Sequence, residues 1–153
     1  MFKTLFLSLL LGGSLWAGSS FNIGDKIGNF SLLNQFDEKQ TVDTSVQTIM
    51  VSFEKDTGAD INEFLSHQKS DFLQKREAVF IANISGMPMV ITKMFALPKM
   101  RNYKHPILLI YDENDTRFKA QEGKSTLYTL KNGAIQSIEF ITKDDLKTIF
   151  KND

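Results

Sequence analysis

The sequence predicts an α/β fold in which a central mixed sheet carries flanking helices and an N-terminal β-hairpin. Three features predict it. Short apolar, β-branched runs at residues 48–53, 78–84 and 106–111 alternate with segments of helical spacing, and that alternation implies a core of parallel strands. Asn132-Gly133 stands between two further runs, at 126–130 and 134–140; an Asn-Gly pair in that setting marks a tight hairpin and adds antiparallel strands at one side. Two short runs, 30–33 and 40–42, joined by the polar Asp37-Glu38-Lys39, read as an opening hairpin.

The expected order is therefore the hairpin, then β-α-β-α-β-β-β-α. Residues 60–76 space Ile61, Phe64, Leu65, Phe72 and Leu73 along one side of a helix, with a break near Ser70. Asp60 and Glu63 stand at capping-box spacing, so this helix is expected to begin with Asp60 as its N-cap. After the strand at 78–84, Ser85-Gly86 turns the chain. Pro88 suits the first turn of a helix reaching about residues 94–97, and Pro98 is expected to end it. On that helix Met94 lies near Ile91 and Phe95, which predicts a buried, core-filling side chain. Thr142 and Asp145 cap a last helix that presents Leu146, Ile149 and Phe150 on one face.

Ahead of this domain, residues 1–19 read as a secretory signal peptide. Lys3 supplies the positive start, residues 4–16 an apolar stretch, and Ala17-Gly18-Ser19 a small-residue cleavage region. Cleavage after Ser19 fits better than cleavage after Ala17, because it places Ala17 rather than Leu15 at the minus-three position. The apolar stretch is shorter than the roughly 20 residues of a spanning helix and is interrupted by Gly12-Gly13, so no stable membrane anchor is expected after cleavage. Residues 20–153 then form a single domain, and its expected location is the periplasm. Without Lys3 the basic residues fall from 18 to 17 against 18 acidic ones, which leaves no electrostatic footprint for nucleic acid or an anionic membrane.

Several local motifs, taken with the element order, carry a resemblance. Gly24-Asp25-Lys26 followed by Asn29-Phe30-Ser31-Leu32, and Ser125-Thr126-Leu127 followed by Lys131-Asn132-Gly133, resemble the opening and closing segments of the thioredoxin-like superfamily in its peroxiredoxin and thiol-reductase branch. Thr57-Gly58-Ala59-Asp60 is similar to the peroxiredoxin Thr-x-x-Cys segment, with Asp60 where the reactive cysteine would stand. The resemblance spans roughly residues 22–151 and implies a three-layer thioredoxin-like fold in an exported protein of a Gram-negative bacterium. It also implies that the superfamily's cis-proline position falls at Ser125. Two departures matter. The chain contains no cysteine, so the thiolate nucleophile of that chemistry is missing, and the proline is missing too.

The expected function is therefore a non-catalytic periplasmic binding or interaction module, with an unidentified periplasmic protein or small ligand as partner and no cofactor. The rim around the former thiol position is the candidate partner surface: Glu54, Lys55, Asp56, Thr57, Asp60, Met87, Ser125 and Thr126, near strand ends where open α/β sheets bind ligands. One alternative is an enzyme using a bound cofactor or non-thiol chemistry. Another is a periplasmic copper(I) protein using soft ligands from Met87, Met89, Met94, Met100 and His105. Other motifs fail. Gly123-Lys124-Ser125-Thr126 lacks the earlier glycine of a phosphate loop, having Phe118 there. Residues 112–123 have Arg117 and Gly123 where a calcium loop needs glycine and glutamate. His67 and His105 have no neighbouring arrangement of a hydrolytic triad.

Overall fold

The computed structural model describes residues 20–151, which form a seven-stranded mixed sheet with flanking helices. The expected signal peptide, residues 1–19, lies outside the described residues. The strands are β1 (Phe30–Asn34), β2 (Lys39–Val42), β3 (Thr48–Ser52), β4 (Ala78–Asn83), β5 (Leu108–Ile110), β6 (Ser125–Lys131) and β7 (Ala134–Ile141), in the spatial order β2-β1-β5-β4-β3-β6-β7. The central pairs β3–β4 and β4–β5 are parallel, as the alternation with helices requires. The pairs β1–β2, β1–β5, β3–β6 and β6–β7 are antiparallel. Asn132 and Gly133 both adopt positive φ, at 52° and 79°, which is the geometry the Asn-Gly hairpin demands.

Alternation along the strands sends side chains to two cores. Met50, Phe80, Ala82, Leu109 and Leu127 join Ile61 and Leu65 of α1 (Lys55–Ser66), Leu73 of α2 (Phe72–Lys75) and Leu146 of α5 (Lys143–Ile149). Ile49, Val51, Ile81, Leu108, Ile110 and Tyr128 face the other way, against Ile27, Val46 and Phe118 with Phe21 and Phe30 at the edge. Phe64, Phe72 and Phe150 stack mutually at 5.4–5.9 Å between ring centres and close the helix-side core at its rim. Thr142 caps α5 in a reciprocal box with Asp145. Of the face expected on α5, Leu146 is buried and Phe150 half-buried, while Ile149, three residues on from Leu146, is exposed.

Two helix boundaries differ from expectation. The helix expected at Asp60 starts five residues earlier, at Lys55, with Glu54 as N-cap, so Asp60 lies inside α1 and caps nothing. The helix can begin this early because Gly58 lets it run close to β3: a Cβ there would stand 3.2 Å from Ser52 Oγ. The expected break near Ser70 is real: α1 ends at Ser66, and α2 is a separate short helix that begins at Phe72.

Pro98 does not end the helix that follows β4. That helix runs as α3 (Met89–Ile91), a π-helical turn (Thr92–Ala96) and α4 (Leu97–Met100). The Leu97 amide donates to the Thr92 carbonyl across the widened turn, and Pro98 then falls in the first turn of α4, where its missing amide does no harm. The same turn shifts the buried face. The inward residues are Thr92 (1% exposed) and Leu97 (7%), five apart, rather than residues three or four apart. Met94, expected in the core, is instead 64% exposed.

Candidate functional site

Where β3 meets α1, local chain geometry decides what each rim residue can do. The Gly58 amide donates to the Glu54 carbonyl at 2.9 Å and begins α1, and the Thr57 hydroxyl donates to the same carbonyl at 3.1 Å. The Glu54 side chain turns across the gap: its Oε1 accepts from the Gly123 amide at 2.8 Å. That contact ties the β3–α1 loop to the loop leading into β6, the two segments that carry most of the rim expected from the sequence. On β6, Ser125 and Thr126 are both buried, and Thr126 Oγ1 donates to the Lys119 carbonyl at 2.6 Å. Thr126, expected on the partner surface, is thus a fully enclosed structural hydroxyl. No cis peptide bond occurs among the described residues, Ser125 included.

Thr57, Asp60, Ser125 and Lys143 border a cleft of about 50 Å³ over Ile61 and Leu146. A space of that size holds a few waters and no organic ligand. Lys143 is engaged at 2.7 Å by Glu63, whose carboxylate raises the ammonium above its ordinary value. Among the described residues that line this cleft Asp60 is the one carboxylate, beside alcohols and a committed ammonium, and no imidazole lines it; the nearby Glu63 and Asp145 are engaged by Lys143 and Thr142. Lys55 and Asp56 remain exposed, and Met87 is half-buried at the turn after β4, its amide donating to the Ile84 carbonyl.

The set considered for copper is divided between interior and surface. Met100 packs against the helix-side core. His105 is buried, with Nε2 at 2.8 Å from Asn62 Oδ1, and burial pushes its imidazole down to about 4. Met89 and Met94 are exposed.

A second feature was not singled out from the sequence. Five residues of the segment 89–95 are large, apolar and exposed: Met89 (49%), Val90 (65%), Ile91 (43%), Met94 (64%) and Phe95 (63%). Beside them lies a groove of about 480 Å³ between this helix and the β1–β2 hairpin. Met89, Lys93, Leu97 and Arg101, spaced by four, form its helical wall, and Leu33, Asp37 and Tyr111 complete it. Its base is held by Gln35: Nε2 donates to the His105 carbonyl at 2.8 Å, Oε1 accepts from the Ile107 amide at 2.7 Å, and the Gln35 carbonyl accepts from Arg101 Nε at 2.8 Å. Arg101 also pairs with Asp37 at 3.5 Å. Burial, reinforced by the Asp37 charge, raises the Tyr111 phenol above its ordinary value. One signal for this feature was present in the sequence. From 89 to 97 nearly every residue is apolar, whereas a surface helix buries only a stripe, so some of them had to remain outside.

The parallel β3-β4-β5 core, the antiparallel β6–β7 hairpin and the N-terminal hairpin define an α/β protein of thioredoxin-like fold. Solved structures agree. A peroxiredoxin-like protein from Aquifex aeolicus superposes with a TM-score of 0.56 at 9% identity, covering 88% of this chain and 89% of that one. A peroxidoxin from Mycobacterium tuberculosis gives 0.54 at 14%, covering 83% and 92%. The thioredoxin domain of a thiol-disulfide oxidoreductase from Bacteroides vulgatus gives 0.52 at 12%, covering 86% and 98%. These identities establish the fold alone. A scan of protein-family models finds no match, and neither does a search of curated proteins.

Proposed function

We propose that this chain is an exported, non-catalytic binding module that keeps a thioredoxin-like scaffold without thiol redox chemistry. The absence of cysteine removes the nucleophile that the fold's redox members use. The former thiol position supports the same reading, because its cleft is small and its rim is closed by the Glu54–Gly123 contact. The observation that carries the reading is the exposed apolar segment 89–95 beside its groove, a feature that surfaces tend to keep for a partner. A periplasmic location follows from the reading of residues 1–19 as a cleaved signal; among the described residues no helix is long and apolar enough to cross a membrane.

The test uses mature protein recovered from the periplasmic fraction. Intact mass should correspond to a chain beginning at Ser20, insulin reduction and peroxide turnover should stay at background, and the visible spectrum should be featureless. Recovery only in the inner membrane with Met1 retained sinks the export. Turnover that survives a mass-verified repeat, or a bound chromophore, sinks the non-catalytic reading.

A further inference from the structure

We infer that the groove beside the helix 89–100 receives an amphipathic segment of a partner protein, one whose apolar side chains are flanked by carboxylates. This rests on the reading of the chain as a binding module and names the chemistry of its partner.

The apolar part of the argument is a surplus. Thr92 and Leu97 already anchor the helix to the body of the protein, and the five exposed residues of 89–95 add nothing to that core. Met89, the one of the five that lines the groove, has an unbranched and polarisable side chain that re-packs around differently shaped apolar partners. The shape selects a protein segment over a flat surface. A groove of about 480 Å³ has the volume of a site for several side chains, and Met89, Leu97, Leu33 and Tyr111 give it apolar walls. A bilayer presents no ridge to fill such a groove.

Charge supplies the rest. From Ala78 to Tyr111 the chain has Lys93, Lys99, Arg101 and Lys104 but no Asp or Glu, although the whole chain has formal net charge zero. Arg101 is paired with Asp37. Lys93, which lines the groove, and the exposed Lys99 make no ion pair among the described residues. Within the groove the Arg101–Asp37 pair is internally balanced, so a docked segment with carboxylates beside its apolar face meets the unneutralised Lys93, with the exposed Lys99 further along the same helical stretch, whereas a basic segment gains no such partner.

The test uses two synthetic 14-residue amphipathic peptides with the same leucine pattern, one with glutamate and one with lysine at every polar position. Fluorescence polarisation is measured against the mature protein, the double substitution Leu33→Ser, Met89→Ser of two exposed residues that line the groove, and Lys93→Glu. All three sites are exposed, and matching circular dichroism confirms that the variants fold. The glutamate peptide should bind at least tenfold more tightly than the lysine peptide. The double substitution should weaken it at least tenfold, and Lys93→Glu should abolish the preference. Equal binding of both peptides, no binding, or binding indifferent to the variants overturns the inference. Sedimentation with phosphatidylglycerol vesicles without peptide binding overturns it in favour of a lipid surface. A dimer by light scattering that the double substitution dissolves overturns it in favour of a second copy. None of these results depends on the redox assays, so loss of this inference leaves the non-redox reading standing.

Discussion

Acid should destabilise this protein through one residue, His105, over a defined pH interval. Its imidazole is buried against Asn62 and beside the Tyr103 ring, 5.1 Å away between centres, and burial lowers it from an ordinary 6.5 to about 4. Because the folded-state value lies below the unfolded one, the unfolded chain takes up its proton first as pH falls. The contribution is complete above about pH 6.5 and is lost between there and about pH 4. At about 1.4 kcal/mol per pH unit the full loss is about 3.5 kcal/mol, of which about 2.5 is reached by pH 4.5. Asp43, Glu63 and Asp145 are held below their ordinary values by hydrogen bonds with Ser45, Lys143 and Thr142, so their contributions fade in a lower interval, from about pH 4.5 downward. The assay is urea unfolding at pH 7.0, 5.5 and 4.5 for the natural chain and His105→Gln. Glutamine keeps hydrogen-bonding capacity beside Asn62 but does not titrate, so its curve should fall by about 2–3 kcal/mol less across this range. A constant offset between the two proteins does not enter the comparison. Parallel curves, or a His105 imidazole that titrates near 6.5 by NMR, would refute the reasoning.

Two further outcomes follow from packing and backbone geometry. Leu97→Ala should cost about 2–5 kcal/mol because it opens a cavity in the helix-side core, whereas Met94→Ala should stay within about 0.5 kcal/mol; denaturant midpoints decide, and a costly Met94 means that the helix is rolled the other way. Gly133→Ala should cost about 1–2 kcal/mol, since φ there is 79° and the new Cβ would stand 3.0 Å from Thr44 Cγ2; an unchanged thermal midpoint would show that the hairpin relaxes freely.

The division between what was legible and what was not follows the range of the forces involved. Strand order along the chain, the two hairpins and the cap of α5 were legible because each depends on neighbouring residues. Short continuous apolar, β-branched runs form buried strands, Asn132-Gly133 adopts positive φ readily, and Thr142 reaches an amide three residues on. The absence of the thiol was legible in the composition. The start of α1 was misplaced because Asp60-x-x-Glu63 satisfies a local capping pattern, while the actual start depends on how closely Gly58 approaches Ser52 on another element. Likewise, no local pattern says that Thr126 turns inward to the Lys119 carbonyl or that Glu54 reaches Gly123, 69 residues away.

The helix at 89–100 shows the limit best. Its sequence by itself determined that a strongly apolar helix follows β4, and that more apolar side chains exist there than one buried stripe can take. Only the tertiary structure decided which of them stay outside. A single π-helical turn before Pro98 moves the inward face from Thr92 to Leu97 and leaves Met94 and Phe95 in solvent. Helical periodicity records spacing along one element; the phase of that spacing against the sheet is set by contacts with residues far away in the chain, such as Gln35 bracing Arg101, His105 and Ile107.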